Sequence, residues 1–235
     1  MIKFLFSALA VLVSSFSLSQ QPITLEEIWS GAFSTEGITN LRSLNSGDAY
    51  TVLEYHDGKS QIVMYRYSDM QSEGVVLSSG DAIPRFSGYT FSDDESRVLL
   101  ATQRKPIFRR SSEAVYYVYD FKTQELTKVS DSLIRIPVFS PDGSKLAYVF
   151  ENNLHVFDIA SKSSRQLTED GKYGSIINGH ADWVYEEEFS LVRAYEWSPE
   201  STHLAYLKFD ESLVPEFSMD VFGTESFQIP KGGRE

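Results

Sequence analysis

Three observations predict an all-β protein built from β-propeller blades. Aromatic residues make up 14% of the 235 residues, and aromatic side chains favour strands. Beyond residue 20 the apolar residues occur in short alternating runs rather than at helical spacing. A motif of about ten residues recurs at intervals typical of a propeller blade.

The alternating runs predict strands, and the residues between them predict tight turns. Asp57-Gly58 and Asp142-Gly143 are dipeptides that favour such turns. Residues 24–30 differ from this pattern, because Thr24 and the acidic residues after it predict a short capped helix. The strands are predicted over residues 62–67, 98–102, 115–121, 146–150, 154–159 and 204–209.

The repeated motif consists of an aromatic residue, a serine, a turn and an apolar strand. It begins at Phe91, Phe139 and Trp197, so its copies start 48 and 58 residues apart, and a degraded copy lies near residues 45–55. One four-stranded blade cannot bury both of its faces without neighbours. We therefore expect the aromatic residue of each copy to pack between blades.

Length and composition limit the fold and the function. Residues 20–235 have room for about four blades, which is either a closed four-bladed ring or part of a larger propeller. A net charge of −12 disfavours nucleic-acid binding. The chain has no cysteine, which excludes disulfides, thiolate metal sites and a cysteine nucleophile.

The N-terminus has the order of a signal peptide. Lys3 precedes an apolar run over residues 4–13, and Ser17 and Ser19 supply small residues after it. The apolar run is about half the length that a membrane span requires. We expect residues 1–19 to be a signal peptide cleaved after Ser19, and the protein to be periplasmic or secreted. An uncleaved anchor is the alternative.

The longer spacing before Trp197 reflects an insertion with an acidic run. Asp182 is predicted to cap a short helix that carries Glu186, Glu187 and Glu188. Three functions of this run remain open from the residues alone. It is a solvated helix face, a metal site together with His180, or a receptor for a ligand ammonium group, whose three donors suit paired carboxylates.

At this insertion the chain resembles a known family. Residues 182–188 (DWVYEEE) resemble the signature of dipeptidyl peptidase IV, within the prolyl oligopeptidase group of serine peptidases. Residues 108–111 (FRRS), followed by the run at 116–120, resemble the family segment that supplies a substrate-binding arginine. The stretches at 197–199 and 209–217 are also similar to the family.

The resemblance implies both a fold and a site. In the family an eight-bladed propeller sits on an α/β-hydrolase domain, so residues 20–235 correspond to about four blades of the propeller. By position in the motifs, Glu187 and Glu188 bind the substrate amino terminus and Arg109 binds the carbonyl between its first two residues. Arg110 is a competitor for that role, and a simple ion pair is the alternative for Arg109. Glu186 is not usually assigned to the amine, so we expect its replacement by glutamine to change kcat/KM of the full-length enzyme little.

The implied activity is release of N-terminal dipeptides ending in Pro or Ala, by a homodimeric enzyme without metal or cofactor. The 235 residues contain no Gly-x-Ser-x-Gly nucleophile motif. We therefore expect the catalytic triad and the α/β-hydrolase domain to lie beyond residue 235, and this chain alone to be inactive. Two alternatives remain: a propeller that binds protein without catalysis, and a relative that releases tripeptides.

Overall fold

A computed structural model describes residues 22–35, 37 and 41–215. The chain divides into two compact units, residues 1–38 and residues 39–235. The predicted signal peptide lies outside the described residues. In the first unit, α1 (Leu25–Trp29) begins at Thr24, whose side chain accepts from the Glu27 amide while the Glu27 carboxylate accepts from Thr24. This reciprocal cap confirms the predicted short helix.

The second unit contains sixteen strands among its described residues, and most of them pair with the next strand along the chain. All the pairings are antiparallel. The strands are β1 (Arg42–Ser43), β2 (Ala49–His56), β3 (Lys59–Arg66), β4 (Ser72–Ser78), β5 (Gly88–Phe91), β6 (Arg97–Pro106), β7 (Ser112–Asp120), β8 (Glu125–Lys128), β9 (Ile134–Phe139), β10 (Lys145–Phe150), β11 (Asn153–Asp158), β12 (Ser163–Gln166), β13 (Ile176–Asn178), β14 (Tyr195–Trp197), β15 (Leu204–Tyr206) and β16 (Lys208–Asp210).

The strands form blade-like sheets of four. Strands β1–β4 make the first blade, β5–β8 the second and β9–β12 the third. A short pairing of Glu113 with Arg135 and of Ala114 with Ile134 joins the second and third blades. The fourth blade is split, because β13 pairs with β16 and β14 pairs with β15.

The single strand predicted over residues 204–209 is interrupted in the fourth blade. At Leu207 the backbone changes partner: its N–H donates to the Ala194 carbonyl, whereas its carbonyl accepts from the Gly179 N–H. The apolar pattern is continuous across this point, so the sequence did not reveal the break.

The repeated motif has one structure in its three copies. In each, the serine N–H donates to the carbonyl five residues ahead and its own carbonyl accepts from the residue three ahead. The residue at that third position has a positive φ, at Glu95, Gly143 and Ser201. The degraded copy makes the same turn, with Gly47 at φ 76° and hydrogen bonds to Leu44.

The core lies between adjacent blades, as the repeat predicts. Successive residues of a strand point to opposite faces, so Leu100 of β6 packs toward the first blade and Leu99 toward the third. The three motif aromatics pack at these interfaces. The first-to-second interface contains Leu53, Ile62, Phe86 and Val98; the second-to-third contains Val118, Ile134, Phe139 and Phe157; the third-to-fourth contains Ala147, Val149, Leu154 and Tyr195.

The described residues are therefore predominantly β, with two short helices in all. This confirms the all-β class and the predicted helical insertion. Neither described helix has the length and apolarity that crossing a bilayer requires.

Candidate functional site

Helix α2 (Trp183–Phe189) lies in the insertion between β13 and β14 and carries the acidic run. It begins at Asp182, whose Oδ1 accepts from the Tyr185 N–H at 2.8 Å, as the sequence predicted. It ends at Ser190, which adopts a left-handed conformation with φ 57°. A helix turns about 100° per residue, so the three successive glutamates point in different directions.

Glu186 is the buried member of the run, with 1% of its surface exposed. Its Oε1 accepts from the backbone N–H of Arg110 at 2.7 Å and from that of Ser111 at 2.9 Å. These amides belong to the loop between β6 and β7. The helix and this loop are 75 residues apart in the sequence, and the Glu186 carboxylate ties one to the other.

Glu187 and Arg109 come together because of this connection. Arg109 Nε lies 3.4 Å from Glu187 Oε2. The Glu187 side chain is 17% exposed, whereas that of Arg109 is 74% exposed. Arg109, rather than its neighbour Arg110, therefore pairs with the acidic run in the described structure.

Glu188 follows Glu187 on α2 and is exposed. Within the described part of the chain it has no hydrogen bond or ion pair. The site thus contains one carboxylate with a cationic partner, one open carboxylate and one exposed guanidinium. Carboxylates accept hydrogen bonds from an ammonium group, and a guanidinium donates to a carbonyl oxygen.

The buried His180 contacts two further polar side chains, those of Arg135 and Asn152. His180 Nε2 lies 3.3 Å from Arg135 Nη1 and 2.9 Å from Asn152 Oδ1, and His180 Nδ1 lies 2.8 Å from the Ala181 carbonyl. Burial and the Arg135 charge lower the pKa of His180 to about 4. Burial also lowers the pKa of Arg135, while the negative charge of Glu186 opposes that shift.

The described residues do not have the geometry of the alternative function, a metal site formed by His180 and the glutamates. His180 faces a guanidinium, which repels cations. No three histidine, aspartate or glutamate side chains among the described residues lie close enough to hold a metal ion.

The sequence alone missed two parts of this arrangement. The buried role of Glu186 has no local signal, because three consecutive glutamates do not show which one faces the protein. The second missed part is Arg135, which lies in β9 beside Ile136. The φ of 53° at Ile136 is rare for a β-branched residue.

The chain matches a family model described as the dipeptidyl peptidase IV (DPP IV) N-terminal region over residues 92–231. It is 31% identical to human prolyl endopeptidase FAP over 212 residues, covering 89% of this chain and 27% of that protein. It is 31% identical to mouse inactive dipeptidyl peptidase 10 over 229 residues, covering 92% of this chain and 28% of that protein.

A solved structure agrees with the sequence relatives. The crystal structure of Porphyromonas gingivalis dipeptidyl peptidase 4 is 32% identical and superimposes with a TM-score of 0.77, covering 88% of this chain and 30% of that one. This match confirms the predicted partial propeller. The chain spans less than a third of each of these proteins. It belongs to the family of dipeptidyl peptidase IV N-terminal regions.

Proposed function

We propose that this chain is the N-terminal substrate-gating region of an exported serine exopeptidase that releases Xaa-Pro and Xaa-Ala dipeptides. The observation that carries the proposal is the pairing of Arg109 with Glu187 at 3.4 Å, on a loop that Glu186 holds against α2. An α/β-hydrolase domain of the same protein supplies the catalytic triad, and the propeller has eight blades.

The proposed chemistry assigns one task to each side chain. Glu187 and Glu188 accept hydrogen bonds from the ammonium group of a free peptide amino terminus. Arg109 donates to the carbonyl between the first two residues, which its exposed guanidinium permits. Because only the first residue of a peptide carries a free ammonium group, anchoring it fixes the cut at a set distance from that end.

A second candidate function is a propeller that binds peptides without cleaving them. The similarity to a mouse protein named an inactive dipeptidyl peptidase favours it. Both candidates use the same amine receptor, so binding alone does not separate them. A relative that releases tripeptides differs in the length of the fragment that appears.

The test of the amine receptor is binding of matched peptides. An Ala-Pro peptide with a fluorescent label at its C-terminus is titrated with the protein, with its amino terminus either free or acetylated. The proposal predicts that acetylation weakens binding at least roughly 30-fold, since it removes a charge that two carboxylates hold. Equal affinity for both peptides would overturn the receptor.

The test of catalysis is the mass of the first product. The full-length protein is incubated with an unlabelled free-amine peptide of five residues that begins with Ala-Pro, and the products are identified by mass spectrometry. Release of the Ala-Pro dipeptide supports the exopeptidase. A tripeptide product supports the tripeptide-releasing relative, and binding without any product supports the non-catalytic propeller.

A further inference from the structure

A cavity of roughly 570 Å³ lies beside the candidate site. Its walls come from the end of β2, from residues 85–87 and from the β6–β7 hairpin. Three of its lining residues are arginines, Arg85, Arg104 and Arg109, and none of the described residues that line it is acidic. In a chain with a net charge of −12, this is a local concentration of positive charge.

The three guanidinium groups are held in place by different contacts. Arg85 lies over the ring of Tyr55, 5.3 Å from its centroid. Arg104 Nε donates to Ser112 Oγ at 2.8 Å. Arg109 pairs with Glu187. Each group is fixed by one contact and retains further N–H donors, since a guanidinium has five.

The backbone of β6 turns Arg104 toward this cavity. The pairing of β6 with β7 shifts register between Thr102 and Lys105, where β6 has one extra residue. Gln103 within this bulge has a φ of 50°. Bulges change the direction of a side chain and occur frequently beside functional sites.

The chemistry of the cavity selects an anion with planar oxygens. Arg109 is paired with Glu187, but Arg85 and Arg104 have no ion-pair partner among the described residues, and like charges that line one cavity favour an anion between them. Arginine forms paired hydrogen bonds with carboxylates, and these bonds are stronger than those between neutral groups. Phe108 adds apolar surface for the methylene groups of an acidic side chain.

We propose that this cavity binds an acidic side chain of the peptide substrate, located C-terminal to the first two residues. The inference rests on the proposed function, which places the peptide amine at Glu187 and Glu188 and its first carbonyl at Arg109. Arg109 lines the cavity, whereas the two glutamates do not. Because Arg85 and Arg104 line the same cavity as Arg109, they are the described cationic groups that we assign to the residues beyond the first two.

The test compares two labelled peptides, Ala-Pro followed by alanines and Ala-Pro followed by aspartates, each with a free and with an acetylated amino terminus. With free amines, the acidic peptide is expected to bind roughly tenfold more tightly at low salt, and the gain should shrink as salt rises. R85Q/R104Q is expected to abolish the gain and leave the affinity for the alanine peptide unchanged. K122Q/K172Q removes the same charge elsewhere on the surface and should keep the gain.

The outcomes separate this inference from the proposed function. No gain for the acidic peptide, or a gain that survives in R85Q/R104Q, overturns the cavity assignment while the dependence on a free amine remains. Loss of the dependence on a free amine overturns the proposed function. An acidic gain that persists with acetylated peptides and requires Arg85 and Arg104 still supports the cavity.

Discussion

Replacing Glu186 tests how the site is held together. Glu186→Ala leaves two backbone N–H groups without their acceptor, that of Ser111 in a buried position and that of Arg110 in a partly buried one. An unpaired buried donor costs about 1–3 kcal/mol, so we expect a loss of about 2–5 kcal/mol in the free energy of unfolding. Glu186→Gln keeps one acceptor oxygen but loses the charge, and should cost about 1 kcal/mol. The separate expectation that this change does little to kcat/KM stays a prediction.

The assay has two parts. Urea unfolding is monitored by tryptophan fluorescence, and binding of the free-amine peptide is measured separately. Glu169→Gln is the matched control, because its side chain is exposed and outside the candidate site, so its loss should leave peptide binding unchanged and change stability by less than ~0.5 kcal/mol. If Glu186 acts by holding the Arg109 loop, then Arg109→Gln weakens peptide binding less in the Glu186→Ala background than in the parent. This double-mutant cycle separates positioning from general stability.

Two results would refute the reasoning. A Glu186→Ala variant that unfolds within ~0.5 kcal/mol of the parent would show that the two backbone hydrogen bonds contribute little. Additive effects of Glu186→Ala and Arg109→Gln on peptide affinity would show that the buried carboxylate does not act through the arginine.

Three further predictions concern the surroundings of the site. Burial gives His180 a folded pKa of about 4, below its ordinary value. Stability therefore falls as pH drops below about 6.5, and the loss is complete below about 4. At pH 5 the loss of stability is about 2 kcal/mol. His180→Gln should flatten urea-unfolding stability between pH 7.5 and 5 by that amount, and an unchanged slope would contradict this. Gly179 has φ 81°, and an added Cβ would lie 2.6 Å from a buried leucine side chain. Gly179→Ala should lower the free energy of unfolding by about 1–3 kcal/mol, whereas the control Gly80→Ala should change it very little. Equal melting temperatures of the two variants would refute the difference. Mass spectrometry of the exported protein should find Gln20 as the first residue, after cleavage behind Ser19, whereas an intact Met1 would contradict the signal peptide.

The sequence predicted part of the blades because that information is local. Alternating apolar residues predict β3, and the predicted Asp57-Gly58 turn is the two-residue hairpin that joins β3 to β2. The motif copies predict the interfaces between blades because an aromatic side chain on a strand is buried only when a neighbouring sheet packs against it. The break at Leu207 is not predictable in this way, since it depends on partners in two other segments.

The candidate site depends on contacts between distant segments. Arg109 and Glu187 are far apart in the sequence, and only the family resemblance linked them. Which glutamate of the run is buried depends on where the 107–111 loop lies, and helical periodicity carries no information about that loop. The hydrogen bonds from the Arg110 and Ser111 amides to Glu186 could therefore be identified only from the structure.

The most direct test of the proposed function is the effect of Glu187→Gln and Glu188→Gln on kcat/KM of the full-length protein with a free-amine Ala-Pro substrate. In the proposed complex the substrate ammonium group covers both carboxylates. Losing one partner of such a buried charge pair costs on the order of 2–5 kcal/mol, which is roughly a 30-fold to several-thousand-fold loss in kcat/KM. We expect each variant to fall in this range. A solvated helix face predicts the opposite, and values within about threefold of the parent for both variants would contradict the amine receptor.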